Sequence, residues 1–205
     1  MKNEPVSSVF SLEPFQTSAG IEQILRGGRN LFPLLPQAFA GIKRIAFLGL
    51  GSQGLAQSQC TRDSLAFIGS NIIVKVALKK GSKSLDAARQ AGFKDSGDGE
   101  LTLGTIEEIV PDADLVILLI PDAEQTKLWQ HITGLMKPGA TLGLSHGFLY
   151  GHLKATGQSL RPDIDFIMMA PKGMGKSCRQ LYLQGLTING AGINSSVAVE
   201  QDTNG

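Results

Sequence analysis

From residue 43 onward, short apolar runs alternate with longer stretches of mixed polarity. RIAFLGL at Arg44–Leu50 ends in glycines, as a parallel strand buried on both faces does. NIIVKVAL at Asn71–Leu78 is rich in β-branched residues, and DLVILLI at Asp114–Ile120 is apolar after its first residue. Ala140–Leu144 and Asp165–Ala170 (DFIMMA) continue the series. Between these strands lie segments that predict helices. Ser52–Phe67 carries Leu55, Ala56 and Leu65, and Ser84–Ala91 is closed by Gly92. Thr105–Val110 opens on Thr105 with Glu108 at capping-box spacing, and Asp122–Met136 is stopped by Pro138-Gly139. Strands alternating with helices predict an α/β fold: a doubly wound, mostly parallel sheet with helices on both faces and right-handed crossovers.

The two ends of the chain read differently. Residues 1–42 are punctuated by Pro5, Pro14, Pro33 and Pro36 and hold an apolar cluster of Leu31, Phe32, Leu34, Leu35 and Phe39. A disordered tail would not carry so many large apolar residues, so the expectation is an N-terminal arm, with a short helix, packed on a body of residues 43–205. Ile188–Gly205 is polar and glycine-rich, with no closing helix evident.

Composition narrows the function classes. A chain of 205 residues fits one large domain, or a domain with an arm. The net charge of +1 argues against nucleic acid as a partner. Cys60 and Cys178 cannot build a disulfide framework, which points to a reducing compartment. No apolar run approaches the roughly 18 residues of a membrane span. The first residues, with Lys2, Glu4 and Glu13, lack an apolar signal core and the arginine-rich, acid-poor character of a transit peptide. The expectation is a soluble intracellular protein without membrane or nucleic-acid partners, cytoplasmic or, alternatively, in the plastid stroma.

Directly after the first strand stands Gly49-Leu50-Gly51-Ser52-Gln53-Gly54, a G-x-G-x-x-G at the start of a helix. Gly49 permits a tight turn, Gly51 admits a pyrophosphate close to the backbone, and Gly54 allows close helix–sheet packing. The free amides of the helix start then meet the phosphate charge. A glycine-rich packing turn without ligand is the alternative. With the strand–turn–helix context, the pattern makes the fold Rossmann-like. At the end of the second strand an NAD binder would place an acidic residue. This chain has Leu78-Lys79-Lys80-Gly81-Ser82-Lys83-Ser84. Ammonium groups with the Ser82 and Ser84 hydroxyls suit the 2′-phosphate of NADPH, whereas a carboxylate would repel it. A solvated basic loop is the alternative.

Few residues are equipped for chemistry. His146, in Ser145-His146-Gly147-Phe148, follows the strand Ala140–Leu144, at the sheet edge where such folds bind ligands. It suits proton transfer, or a structural hydrogen bond. Lys172, in Ala170-Pro171-Lys172-Gly173-Met174-Gly175, holds the matching place after the next strand and could stabilise an alkoxide. His131 reads as a surface helix position and His152 as a neighbour of the site. Asp122 and Glu124 sit at a helix start, where an N-cap role explains Asp122. There is no acidic pair suited to magnesium, no Cys/His zinc spacing and no nucleophile elbow.

Taken together, these segments resemble the N-terminal domain of ketol-acid reductoisomerase (acetohydroxy acid isomeroreductase), in its plant-type form. The resemblance runs from about Arg26 to Gly205, through Gly27-Gly28-Arg29, Gly51–Gly54, Arg62-Asp63-Ser64, Lys80–Ser84, Gly143–Phe148, Ala170–Gly175 and Ile188–Gly192. It implies magnesium-promoted alkyl migration in 2-acetolactate or 2-aceto-2-hydroxybutyrate, then reduction by NADPH to a 2,3-dihydroxy acid, in valine and isoleucine biosynthesis. It also implies that Leu50–Gln53 hold the pyrophosphate and that Lys79, Ser82 and Ser84 hold the 2′-phosphate. Asp122, Ala123, Glu124 and Gly175 would flank the cofactor, with His146 and Lys172 as the active-site pair. Lys79 stands where plant-type members tend to have arginine, so a bidentate contact is lost. The family's helical C-terminal domain, with its acidic magnesium ligands and much of its subunit interface, is expected to be absent. On that reading the chain is an N-terminal portion, inactive alone, and homo-oligomeric only with that domain. An NADP-dependent hydroxy-acid dehydrogenase and a non-catalytic nucleotide-binding module are the alternatives.

Overall fold

A computed structural model describes residues 7–95 and 99–203. Lys2, Glu4 and Pro5 of the expected arm, and Gly205, lie outside the described residues. The described part of the arm contains a hairpin that the sequence reading does not foresee: β1 (Glu13–Thr17) pairs antiparallel with β2 (Gly20–Ile24). Gly20, the first residue of β2, takes φ +131°, open to glycine but rarely to other residues. A 3₁₀ turn at Arg29–Leu34 then runs into the short helix α1 (Leu35–Ala38). Phe32 meets Phe67 of the body edge-on at 5.8 Å, and Phe39 and Ile42 pack on the core.

The body follows as β3 (Arg44–Leu48), α2 (Ser52–Phe67), β4 (Ile73–Ala77), α3 (Leu85–Gln90) and the two-residue β5 (Leu103–Gly104). Next come α4 (Ile106–Ile109), β6 (Leu115–Leu118), α5 (Asp122–Leu135), β7 (Thr141–Leu144) and α6 (Phe148–Thr156). The chain closes with β8 (Asp165–Pro171), α7 (Gly175–Gln184) and β9 (Ser195–Gln201). Seven strands form one sheet in the order β5-β4-β3-β6-β7-β8-β9, parallel except for β9, which runs antiparallel to β8. The order reverses direction between β3 and β6, so the turn after β3 opens at the topological switch point. The fold is thus a Rossmann-like, mostly parallel sheet flanked by helices.

Alternation along the strands divides the core. Ala46 and Leu48 face α5 and α6, where Trp129, Ile132, Leu149 and Leu153 are buried. Ile45 and Phe47 face the opposite layer with Leu65, Ala88 and Phe93. Helix ends follow local chemistry: the Thr105 amide donates to Glu108 Oε2 at 2.8 Å, and Gly92 takes φ +89° just after α3. The helix entry at Pro121 corrects the N-cap reading of Asp122. Pro121 is the N-cap, its carbonyl accepting from the Glu124 and Gln125 amides, and Asp122 is the first helical residue. Within the polar, glycine-rich stretch after Ile188 lies the exposed strand β9.

Candidate cofactor site at the carboxyl ends of the parallel strands

The turn after β3 is built as its glycines require. Gly49 takes φ +92°, and a Cβ there would lie 2.9 Å from the Leu119 carbonyl oxygen. Gly54 lies over the same turn, where a Cβ would stand 2.1 Å from Gly49 O. Gly51 differs, since nothing stands within 4 Å of its Cβ position. Gly51 is the N-cap of α2, and the Leu55 amide donates to its carbonyl at 3.0 Å. The amides of Ser52, Gln53 and Gly54, ahead of that bond, have no partner within the helix. An open approach before a helix dipole and free amides is a phosphate-binding arrangement. Leu50 is buried in the core, so it offers the site backbone only.

A second helix start abuts this turn. Gly175, the first residue of α7, is so close that a Cβ would fall 1.9 Å from Ser52 O. Only glycine admits that approach. The contact is tied by side chains as well: Gln53 Nε2 donates to Gly173 O at 2.7 Å. Gln57 Nε2 donates to Gln53 Oε1 at 3.2 Å, and the Ser145 hydroxyl donates to Gln57 Oε1 at 3.0 Å. Gln57 and Ser145 were not singled out by sequence reading. The signal existed, because Gln53 and Gln57 are four apart on a helix and therefore share a face.

The remaining residues lie along the same sheet edge. Lys79 is exposed just past β4, in a turn where the Ser82 amide donates to its carbonyl at 3.0 Å and Gly81 takes φ +70°. Ser84, the N-cap of α3, donates its amide to Ser82 Oγ at 3.2 Å. Among the described residues, Lys79, Lys83 and Lys172 make no ion pair and their ammonium groups no hydrogen bond. Asp122, Ala123 and Glu124 form the exposed first turn of α5, with Glu124 paired to Lys127 at 3.2 Å. His146, past β7, is 71% exposed and points Nδ1 toward Asp122 Oδ1 at 3.9 Å. Lys172, past β8, is exposed, and its amide donates to Asn194 O at 2.8 Å. His131 bonds Glu107 on the surface, and His152 lies near-parallel to Phe148 on α6. A cavity of about 320 Å³ opens elsewhere, beside the C-terminal half of α2 between Phe32, Ser64 and Tyr182, and is not part of this crevice.

Among the described residues, no group of three or more His, Cys, Asp or Glu side chains is placed to hold a metal ion, and no helix is long and apolar enough to cross a membrane. The switch-point turn, free amides and basic loop define a dinucleotide-binding domain of the Rossmann type. The particular family follows from comparison. Residues 41–205 match the family described as acetohydroxy acid isomeroreductase, NADPH-binding domain, and the chain belongs to that family. It is 51% identical over 199 residues to ketol-acid reductoisomerase, chloroplastic, of Spinacia oleracea, covering 97% of this chain and 33% of that protein. The enzyme of the same name from Pisum sativum is also 51% identical, over 97% of this chain and 34% of its own length. The chain therefore spans about a third of the length of these curated relatives. Among solved structures, an NADH-preferring ketol-acid reductoisomerase from an uncultured archaeon superposes with a TM-score of 0.60 at 31% identity, covering 78% of this chain and 43% of that one.

Proposed function

We propose that this chain binds NADPH in the crevice and serves the reductive step of a ketol-acid reductoisomerase acting on 2-acetolactate or 2-aceto-2-hydroxybutyrate in branched-chain amino-acid biosynthesis. The turn Gly49–Gly54 carries the reading, because its open face and unpaired amides suit a pyrophosphate. In this reading Leu50–Gln53 hold the pyrophosphate through backbone amides. Lys79, Ser82 and Ser84 take the 2′-phosphate, while Asp122, Ala123, Glu124 and Gly175 flank the cofactor. When bound, NADPH supplies a hydride to a substrate carbonyl. His146 then exchanges a proton with a substrate oxygen, and the Lys172 ammonium stabilises the alkoxide that develops there. Exposure of both side chains at neighbouring strand ends supports these roles.

The described residues do not fit magnesium. Its ligands, most of the substrate pocket and much of the homo-oligomer interface are assigned to parts of the relatives that this chain does not span. The arm (1–42) and cofactor domain (43–205) form the division proposed for this chain. The plastid stroma is the proposed compartment, since both plant relatives are chloroplastic.

Calorimetric titration of the 205-residue chain with NADPH and NADH tests the reading. NADPH is expected to bind at least about ten-fold tighter, and Lys79→Glu to abolish most of that preference while leaving NADH affinity unchanged. Absence of heat with either nucleotide, or equal affinities insensitive to Lys79→Glu, would overturn it.

A further inference from the structure

Gln57 is a buried carboxamide, 7% exposed, that uses both ends of its amide. The bonds around it have a forced direction. Gly173 O can only accept, so Gln53 must turn its NH₂ toward it and its oxygen toward Gln57. Gln57 must then donate to Gln53, which leaves its own oxygen for the Ser145 hydroxyl. Reversing any one amide would set donor against donor or oxygen against oxygen. Gln57 is buried and Gln53 and Ser145 are half-buried, and with every member satisfied the network specifies one arrangement.

The network joins three segments distant in sequence: the phosphate turn, the end of β7 and the loop after β8. Ser145 immediately precedes His146, and Gly173 immediately follows Lys172. We propose that Gln57 is a positioning residue that fixes the His146 and Lys172 loops relative to the phosphate turn, acting through Ser145 and Gln53. The inference rests on the functional reading above, since it gives a purpose to holding those two loops in register. Gln57 itself lies beneath the crevice and contacts no reacting group.

The test pairs NADPH titration with nuclear magnetic resonance of the histidine rings, on the whole chain. Gln57→Leu is expected to weaken NADPH binding about five-fold and to shift the His146 ring signals, with those of His131 and His152 unmoved. Ser145→Ala and Gln53→Ala are expected to couple through Gln57, so the double variant is weaker by clearly less than the product of the two single effects. That cycle also decides the matter if Gln57→Leu fails to fold. Unmoved His146 signals in folded Gln57→Leu, or independent effects of Ser145→Ala and Gln53→Ala, would overturn the proposal. If the wild-type chain binds no NADPH, the functional reading falls. The His146 signals, and coupling of the same two variants in thermal stability, then still decide whether Gln57 links the loops.

Discussion

The charged residues at the two ends of the parallel strands meet different fates. At the amino ends they are spent on one another. Lys75, 4% exposed on β4, reaches Glu100 at 2.9 Å and Asp112 at 3.0 Å, and Arg44 pairs with the same two carboxylates. Asp114 accepts from the Lys43 and Arg44 amides at 2.7 and 2.8 Å and from Lys137. At the carboxyl ends Lys79 and Lys172 are exposed and their ammonium groups have no protein partner among the described residues, beside a helix start with free amides. A buried charge must be paired, whereas an exposed lysine costs little to leave free and remains available to an anion. One end therefore holds the sheet together and the other is open to a ligand.

The largest expected effect comes from closing the open end. Gly54→Ala puts a methyl group against Gly49 O, a backbone atom that cannot step aside. Overpacking of this kind costs about 1–3 kcal/mol, and relief by moving the turn displaces the amides proposed to meet the phosphate. Loss of measurable NADPH binding is expected in titration, with a lower unfolding midpoint in urea. Full binding by this variant would separate the turn from the ligand site and break the contrast. A smaller effect, on stability alone, is expected from Lys75→Met. Glu100 and Asp112 keep Arg44 and are partly solvated, so the loss is about 1–2 kcal/mol, below the cost of breaking a fully buried pair. NADPH affinity should stay at the wild-type value, and a change there would show that the two ends are coupled.

How far each end is legible in the sequence follows from the same physics. β3 and β4 are readable because burial on both faces demands continuous apolar runs, and α2 because its glycine turn and length mark both ends. β9 escapes notice because six of its seven residues are exposed, so SSVAVEQ carries little core signal. The β1–β2 hairpin is similarly exposed and contains Pro14, which argues against a strand. At the ligand end, the turn, Lys79, His146 and Lys172 announce themselves by position after strands. The Gln57 network and the Gly175 approach to Ser52 do not, since both depend on which loop folds against α2. At the amino end Lys75 reads only as a polar interruption of an apolar strand, and Asp112 stands 37 residues away. Pairing across such separations is a product of strand order, which a single sequence specifies only through its folded form.

The smallest expected effect sharpens the contrast by pH. Burial works to raise the Asp114 carboxyl, but its bonds from Lys137 and from the Lys43 and Arg44 amides outweigh that and leave it below the usual carboxylate range. Hydrogen bonds from Arg44 and Lys75 likewise lower Glu100. A carboxyl whose pKa is lower folded than unfolded contributes fully above its unfolded value, near 4, and loses that contribution as pH falls through the folded value. Stability should therefore be flat from neutral pH to about pH 5 and decline below it. Asp114→Asn should lower stability at neutral pH and make the acid decline shallower, because a proton-binding group has been removed from the linkage. Urea unfolding at a series of pH values checks both, and an unchanged acid slope in Asp114→Asn would mean that the amino-end network is not what acid dissolves.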